Sequence, residues 1–186
     1  MSKLGPSHPP AHQQQQAEEP QQWYRVLQPE FDTVAHDPLD PPKRYHTGIF
    51  IETNQTRAEG KLFHVTGDVI AANGMWYEER QYHAARDLTE THRYDDTQIG
   101  WVLRADYDSG RIGSVLRALP RPTKQQGINF WEIDPVTGRH EIIWTKENGE
   151  RYAPGEERRP VFKCNEWTNR LAAPALRETG ILRDAV

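Results

Sequence analysis

Cys164 is the single cysteine of the chain, set in the run Val161-Phe162-Lys163-Cys164-Asn165-Glu166-Trp167-Thr168 between a segment that reads as a strand and one that reads as a helix. Far upstream stand His46, in Tyr45-His46-Thr47-Gly48-Ile49-Phe50-Ile51, and His64, in Lys61-Leu62-Phe63-His64-Val65-Thr66-Gly67. A thiol is a strong nucleophile as thiolate, and a helix N-terminus or an imidazolium neighbour lowers its pKa. A histidine within hydrogen-bond reach can take the thiol proton and later return it to a leaving group, provided a further polar group fixes its tautomer. Cys164 at the first turn of a helix would also offer its own N–H to a developing oxyanion. These residue types point to attack on a carbonyl carbon and an acyl-thioenzyme, chemistry that calls for no metal and no organic cofactor.

Blander readings of the same residues stand beside this one. A lone cysteine on an apolar helix face serves as a small buried hydrophobe in most proteins. His46 also reads as a solvated strand-end residue, and His64, between Phe63 and Val65, as a satisfied core histidine. One cysteine and two histidines can ligate zinc, although no short-spaced ligand pair supports such a site here. His83, His92 and His140 read as surface or loop residues. Glu166 reads as a first-turn partner of the helix dipole. The charge clusters Glu78-Glu79-Arg80 and residues 156–159 read as solvated loops or edge protection, and the tryptophans as core.

The elements that must position the candidates are set by pattern. Residues 46–53 and 61–66 read as an antiparallel hairpin, and residues 75–83 as a further strand. Residues 23–27 read as a short strand or helical turn, residues 37–42 as a stiff proline-rich connector, and residues 97–107 as a strand or turn. Ile112, Val115, Leu116 and Leu119 fall at helical spacing ahead of Pro120. Residues 128–133 and 140–145 flank a turn sequence at 134–138, which makes a second hairpin. Cys164, Trp167, Leu171 and Ala175 share one face of a last helix, which Pro174 should kink or split and Gly180 should close. Strands first, then helix, hairpin and terminal helix, give an α+β order.

The length of 186 residues suits one domain, and an apolar fraction of 35% is low against the usual 45–50% or so. Part of the deficit is local: residues 1–22 hold four prolines and a glutamine tract, with Met1 and Leu4 as their large apolar side chains. That composition reads as a disordered tail, leaving residues 23–186 as a single domain. A net charge of −4 without a basic stripe argues against nucleic-acid binding. No run approaches the roughly 18 apolar residues of a membrane span, and no signal or transit sequence is read. The Asn54-Gln55-Thr56 sequon then reads as a polar loop, and one unpaired cysteine fits a reducing compartment. The expectation is a cytoplasmic protein without membrane partners.

The ordered set resembles the circularly permuted papain-like thiol enzymes, which include the lecithin retinol acyltransferase-like and NlpC-type proteins. The set comprises His46-Thr47-Gly48-Ile49-Phe50-Ile51, then Gly60-Lys61-Leu62-Phe63-His64-Val65, and a late cysteine heading a helix. Gly74-Met75-x-Tyr77-Glu78, Leu119-Pro120-x-Pro122, Cys164-Asn165-Glu166-Trp167-Thr168 and Gly180-Ile181-Leu182 look closest to a mainly fungal family of that superfamily. The resemblance spans roughly residues 43–183. It implies a permuted papain-like fold, an antiparallel sheet packed on a cysteine-bearing C-terminal helix. By position it implies Cys164 as nucleophile, His46 as general base and His64 as the orienting residue. Two departures are plain: residues 125–158 form a hairpin insertion longer than the family pattern, and Thr47 replaces the acyltransferases' aromatic after the first histidine. The expected activity is that of a thiol hydrolase or acyltransferase on an amide, ester or thioester, with a small-molecule or peptide acyl substrate. The alternatives are the same fold as a non-catalytic protein or peptide interaction module, and a metabolite-binding tailoring protein.

Overall fold

β1, Trp23–Asp32, is the strand around which the main sheet is built. The computed structural model describes residues 22–32, 36–83 and 92–185; the tail read over residues 1–22 lies outside them but for Gln22. β1 is twice the length expected from residues 23–27, because its burial alternation changes phase at Leu27 and so hides from a period-two reading. The cause is a bulge between Val26 and Leu27 in the pairing with β6, His92–Leu103, which runs antiparallel along the whole of β1. On the other flank of β1 lie β2, His46–Thr47, and β3, Ile49–Asn54, end to end and in one register. β4, Glu59–Thr66, and β5, Trp76–His83, continue the sheet, every pairing antiparallel. The strand read at 97–107 thus begins earlier and ends at Leu103, where the chain turns into α1, Arg104–Asp108, followed by α2, Arg111–Arg117.

The strand expected over 46–53 is interrupted at Gly48, and the interruption has a steric reason. A Cβ at Gly48 would lie 2.8 Å from both the Cβ of His64 and the carbonyl oxygen of Phe63. Glycine is what lets the two histidine-bearing strands approach so closely.

The terminal helix keeps its place but not its expected face. It runs as α3, Cys164–Glu166, a π-helical segment, Trp167–Ala172, and α4, Ala173–Glu178. Pro174 lacks the N–H that a continuous α-helix requires, and the wider π turn just before it accommodates the missing bond. The extra residue in that turn rotates the helical turns after it, so Ala172 and Leu176 are buried while Leu171 and Ala175 are half-buried. Trp167, Ala172 and Leu176 then pack with Val26, Ile49, Ile51, Phe63, Val65 and Val102 into the main core. The opposite sheet face carries a smaller cluster of Leu27, Phe31, Phe50, Leu62 and Tyr82. The fold is α+β, an antiparallel sheet with a C-terminal helix that carries Cys164.

The second hairpin is paired over only β7, Gln126–Ile128, and β8, Ile142–Trp144, because residues 129–141 leave strand geometry. Its turn forms as read: Gly138 N–H donates to Asp134 O at 2.8 Å, and Asp134 Oδ1 accepts from Val136 and Thr137 N–H. At the hairpin's base the Gln125 amide brackets the chain, its Oε1 accepting from Phe162 N–H at 2.9 Å and its Nε2 donating to Phe162 O. The tryptophans divide: Trp167 is buried, whereas Trp76 and Trp131 are 51% and 66% exposed, against the core role expected for them.

The Gly48→Ala variant is expected to lose about 1–3 kcal/mol of stability through overpacking at the β2–β4 contact. Chemical denaturation checks this, and a midpoint equal to wild type would show that the strands are not held this close.

Candidate functional site

Strand register assembles the site. His64 in β4 stands directly opposite Glu78 in β5, and the β3–β4 register continued by one residue places Gly48 opposite His64 on the other side. Residues opposite one another share a sheet face, and a two-residue step returns to it, so His46, His64 and Glu78 lie on one face. With no side chain at Gly48 between them, His46 Nε2 reaches His64 Nδ1 at 2.8 Å. His64 Nε2 in turn reaches Glu78 Oε2 at 2.9 Å.

Chemistry fixes the protons along this chain. A carboxylate only accepts, so His64 Nε2 carries hydrogen and donates to Glu78. Neutral His64 then presents a lone pair on Nδ1, which accepts from His46 Nε2–H. His46 Nδ1 is left with a lone pair and no hydrogen-bond partner among the described residues. Both rings are neutral at ordinary pH. Burial, then the charges of His64 and Arg80, take His46 down to about 3. Burial also lowers His64, with the Glu78 hydrogen bond opposing it.

Cys164 opens α3 and its side chain is buried against the main core. The backbone N–H groups of Thr47, the residue after His46, and of Asn165 favour its thiolate. The thiol faces Asn165 Oδ1 at 3.5 Å, and no hydrogen bond joins it to either histidine among the described residues. The depressed thiol pKa expected from a helix start is not what forms. Burial pushes the Cys164 thiol up and outweighs the two backbone N–H groups, with Glu166 pushing it further and Arg44 opposing. The thiol and the imidazole that line this region are therefore both neutral at rest.

Cys164, Asn165 and His46 open onto one cleft of about 710 Å³. Its lining includes the apolar Val69, Ile70, Met75 and Ile142 and the connector that leads into β2. Ion pairs fasten this connector to the helix start. Glu166 accepts from Arg44 Nη1 at 2.8 and 3.0 Å and from Lys163 N–H at 2.9 Å. Arg44 Nε also meets Asp40 at 2.7 Å, and Asp37 takes both Lys163 Nζ and Gln126 Nε2. Glu166 thus does more than complement a helix dipole: its carboxylate is held low by Lys163 N–H and Arg44 against the opposing effect of burial.

All three expected residues reach this region, His46 and Cys164 lining the cleft and His64 behind His46. His83 meets Glu59 at 3.3 Å and His140 Nδ1 meets Asn129 O at 2.8 Å, both away from the cleft; the side chain of His92 lies outside the described residues. Among the described residues no three histidine, cysteine or carboxylate groups are arranged to hold a metal ion. Sequence reasoning missed Glu78 by reading it as solvated charge. Glu79 likewise is engaged, with Arg117, Tyr77 and Lys61. The signal for Glu78 was cross-strand register: pairing residues 61–66 with residues 76–83 sets a carboxylate opposite the second histidine.

A protein-family model matches residues 34–183, a stretch that holds every residue of this site and leaves out β1. The chain belongs to a family of unknown function (DUF6540). No curated protein and no solved structure matches it. Among the described residues, no helix is long and apolar enough to cross a membrane.

The neutral histidines make stability pH-dependent with a defined sign. The unfolded chain takes up protons below the ordinary histidine value of 6.5, while folded His46 refuses them until about 3. Its contribution is complete above 6.5 and is lost as pH falls through that window, by up to about 1.4 kcal/mol per pH unit. Thermal melts between pH 7 and pH 4 should show a shallower decline of Tm in His46→Gln than in wild type. Equal slopes would mean that His46 is not held neutral in the fold.

Proposed function

We propose that this protein is a thiol-dependent hydrolase or acyltransferase of the permuted papain-like type, acting on an amide, ester or thioester. The observation that carries the reading is the hydrogen-bonded chain Glu78–His64–His46, which ends in an imidazole nitrogen without a partner among the described residues, on a side chain lining the cleft that Cys164 also lines. A carboxylate and two imidazoles in series are a costly way to orient a surface histidine. They are an efficient way to fix a base in one tautomer.

In this mechanism His46 Nδ1 accepts the Cys164 proton as sulfur attacks the carbonyl carbon and the C–S bond forms. Proton transfer on demand replaces a preformed ion pair, because burial holds both partners neutral. Cys164 N–H, in the first turn where no intrahelical acceptor exists, donates to the oxyanion. The tetrahedral intermediate collapses with loss of the amine, alcohol or thiol leaving group, which takes the proton back from His46. Water or another nucleophile then attacks the acyl-thioenzyme, His46 again acting as base, and the thiol is regenerated. Glu78 touches no reacting atom; it positions His64, and through it His46.

The second reading is the same fold as an interaction module without turnover. The buried thiol, with no hydrogen bond to an imidazole, favours it.

With a panel of p-nitrophenyl acyl esters and acyl thioesters, Cys164→Ala is expected to abolish turnover with little change in Tm. Turnover that survives in this variant would overturn the mechanism. Glu78→Ala is expected to lower kcat by roughly 10²-fold, the scale of general-base assistance, and to alter the acid limb of the pH profile. Iodoacetamide should alkylate Cys164 slowly, with a rate titrating above the ordinary thiol value of about 8.5. A midpoint well below it would show a preformed thiolate instead.

A further inference from the structure

We infer that the β7–β8 hairpin is the docking arm of the same cleft, and that its occupant is an extended polypeptide segment that adds alongside β8 and leads into Cys164. The inference rests on the acyl-transfer reading for the reaction, but its observations lie in the hairpin.

The first observation is a free strand edge. In β7–β8 the register is Gln126↔Trp144, Gly127↔Ile143 and Ile128↔Ile142. Asn129 N–H donates to Glu141 O and Thr145 N–H to Gln125 O, so the hydrogen-bonded rungs are 129/141, 127/143 and 125/145. The alternation of an antiparallel pair then turns the N–H and C=O of residues 126, 128, 142 and 144 outward. On the β7 side, Gln126 N–H is answered by Val69 O at 3.3 Å. On the β8 side nothing among the described residues answers Ile142; pairing resumes only at the Thr145–Arg151 bridge. An open edge beside apolar side chains is a template for another chain.

The second observation is continuity. Side chains 126, 128, 142 and 144 share one face of the hairpin, and two of them, Gln126 and Ile142, line the cleft that holds Cys164. Beside Ile142 stands Ile128, 41% exposed, and farther along the hairpin Phe130 and Trp131 are 70% and 66% exposed. Ile133 and Val136, nearer the tip, are exposed too. Single exposed apolar residues are ordinary, but five large ones within nine residues of one hairpin are a concentration that suits a binding surface.

The two observations together select the occupant. A hydrocarbon chain would cover the apolar side chains and leave the amide and carbonyl of Ile142 without partners, which costs free energy when they are buried. An extended peptide supplies both: main-chain hydrogen bonds to the edge and alternate side chains to the apolar face.

The test uses full-length Cys164→Ala protein and linear dodecapeptides selected on it from a random phage-displayed library. Binding is read by fluorescence polarisation against the peptide, against its analogue N-methylated at alternate amides, and in the Ile128→Asp and Phe130→Asp variants. These two positions are exposed, and unchanged melting temperatures confirm that the variants fold. The expected result is that N-methylation and each variant weaken binding by roughly tenfold or more, the scale of one or two lost hydrogen bonds. Wild-type protein should also be labelled at Cys164 by the same peptide carrying a C-terminal vinyl sulfone. Binding indifferent to N-methylation and to both variants, or capture of phosphatidylcholine vesicles in place of peptides, would overturn the docking arm. The reaction reading fails separately: peptides that dock on the hairpin while Cys164 stays unlabelled support the arm and count against acyl transfer. Ester turnover that depends on His46 while no peptide docks does the reverse.

Discussion

Arg44 and Glu166 hold the two halves of the candidate site together. Each stands two residues from a key side chain, Arg44 before His46 and Glu166 after Cys164, across 122 positions of sequence. Their paired hydrogen bonds are charge-assisted and partly shielded from water, the kind worth about 1.5–3 kcal/mol each. The same carboxylate takes the Lys163 N–H that a helix start leaves open, so one group fixes both the approach to β2 and the first turn of α3. Asp40 and Asp37 repeat the fastening on Arg44 and Lys163. Without that clasp the sheet would still present two histidines and the helix a cysteine, but nothing would set the cleft between them.

The sheet contributes a different kind of precision. Its antiparallel register places one side chain per strand, and the row from Glu78 to His64 to His46 is a product of that spacing alone. Burial then decides the charge state. The His64 imidazole and the Cys164 thiol both stay neutral here, because the loss of hydration outweighs the Glu78 carboxylate at one and the backbone N–H groups of Thr47 and Asn165 at the other. The arrangement stores orientation rather than charge, and in the proposed mechanism the substrate's arrival triggers the proton transfer.

Much of this was legible in the chain. Alternation and β-branched content revealed β3 and β4, aromatic content revealed β5, and the helical spacing ahead of Pro120 revealed α2. His46 and His64 stood out on adjoining strands, and Cys164 as the single cysteine, placed at the start of a helix. Three things were not legible, each for a physical reason. The second half of β1 contains Pro29 and Glu30 and changes phase at a bulge; the first half of β6 is polar. Glu78 became meaningful only once strand partners were known, since a charged triplet looks the same whether solvated or opposite a histidine. The helix face shifted because a π turn absorbs Pro174, and the thiol's raised pKa depends on burial that no local pattern encodes.

The Gln125 bracket has a consequence for how such a protein can change. One side-chain amide ties the point where the chain leaves the body to the point where it returns, at Phe162, just before the cysteine. Thirty-six residues lie between these anchors, and their length and shape are uncoupled from the position of Cys164. Loop-closure entropy grows only slowly with length, so a longer, shorter or differently folded excursion there adds little strain. The hairpin is in that sense an exchangeable cassette plugged into a fixed socket: under the proposed function, selectivity could be rewritten by replacing it while Cys164 stays where it is.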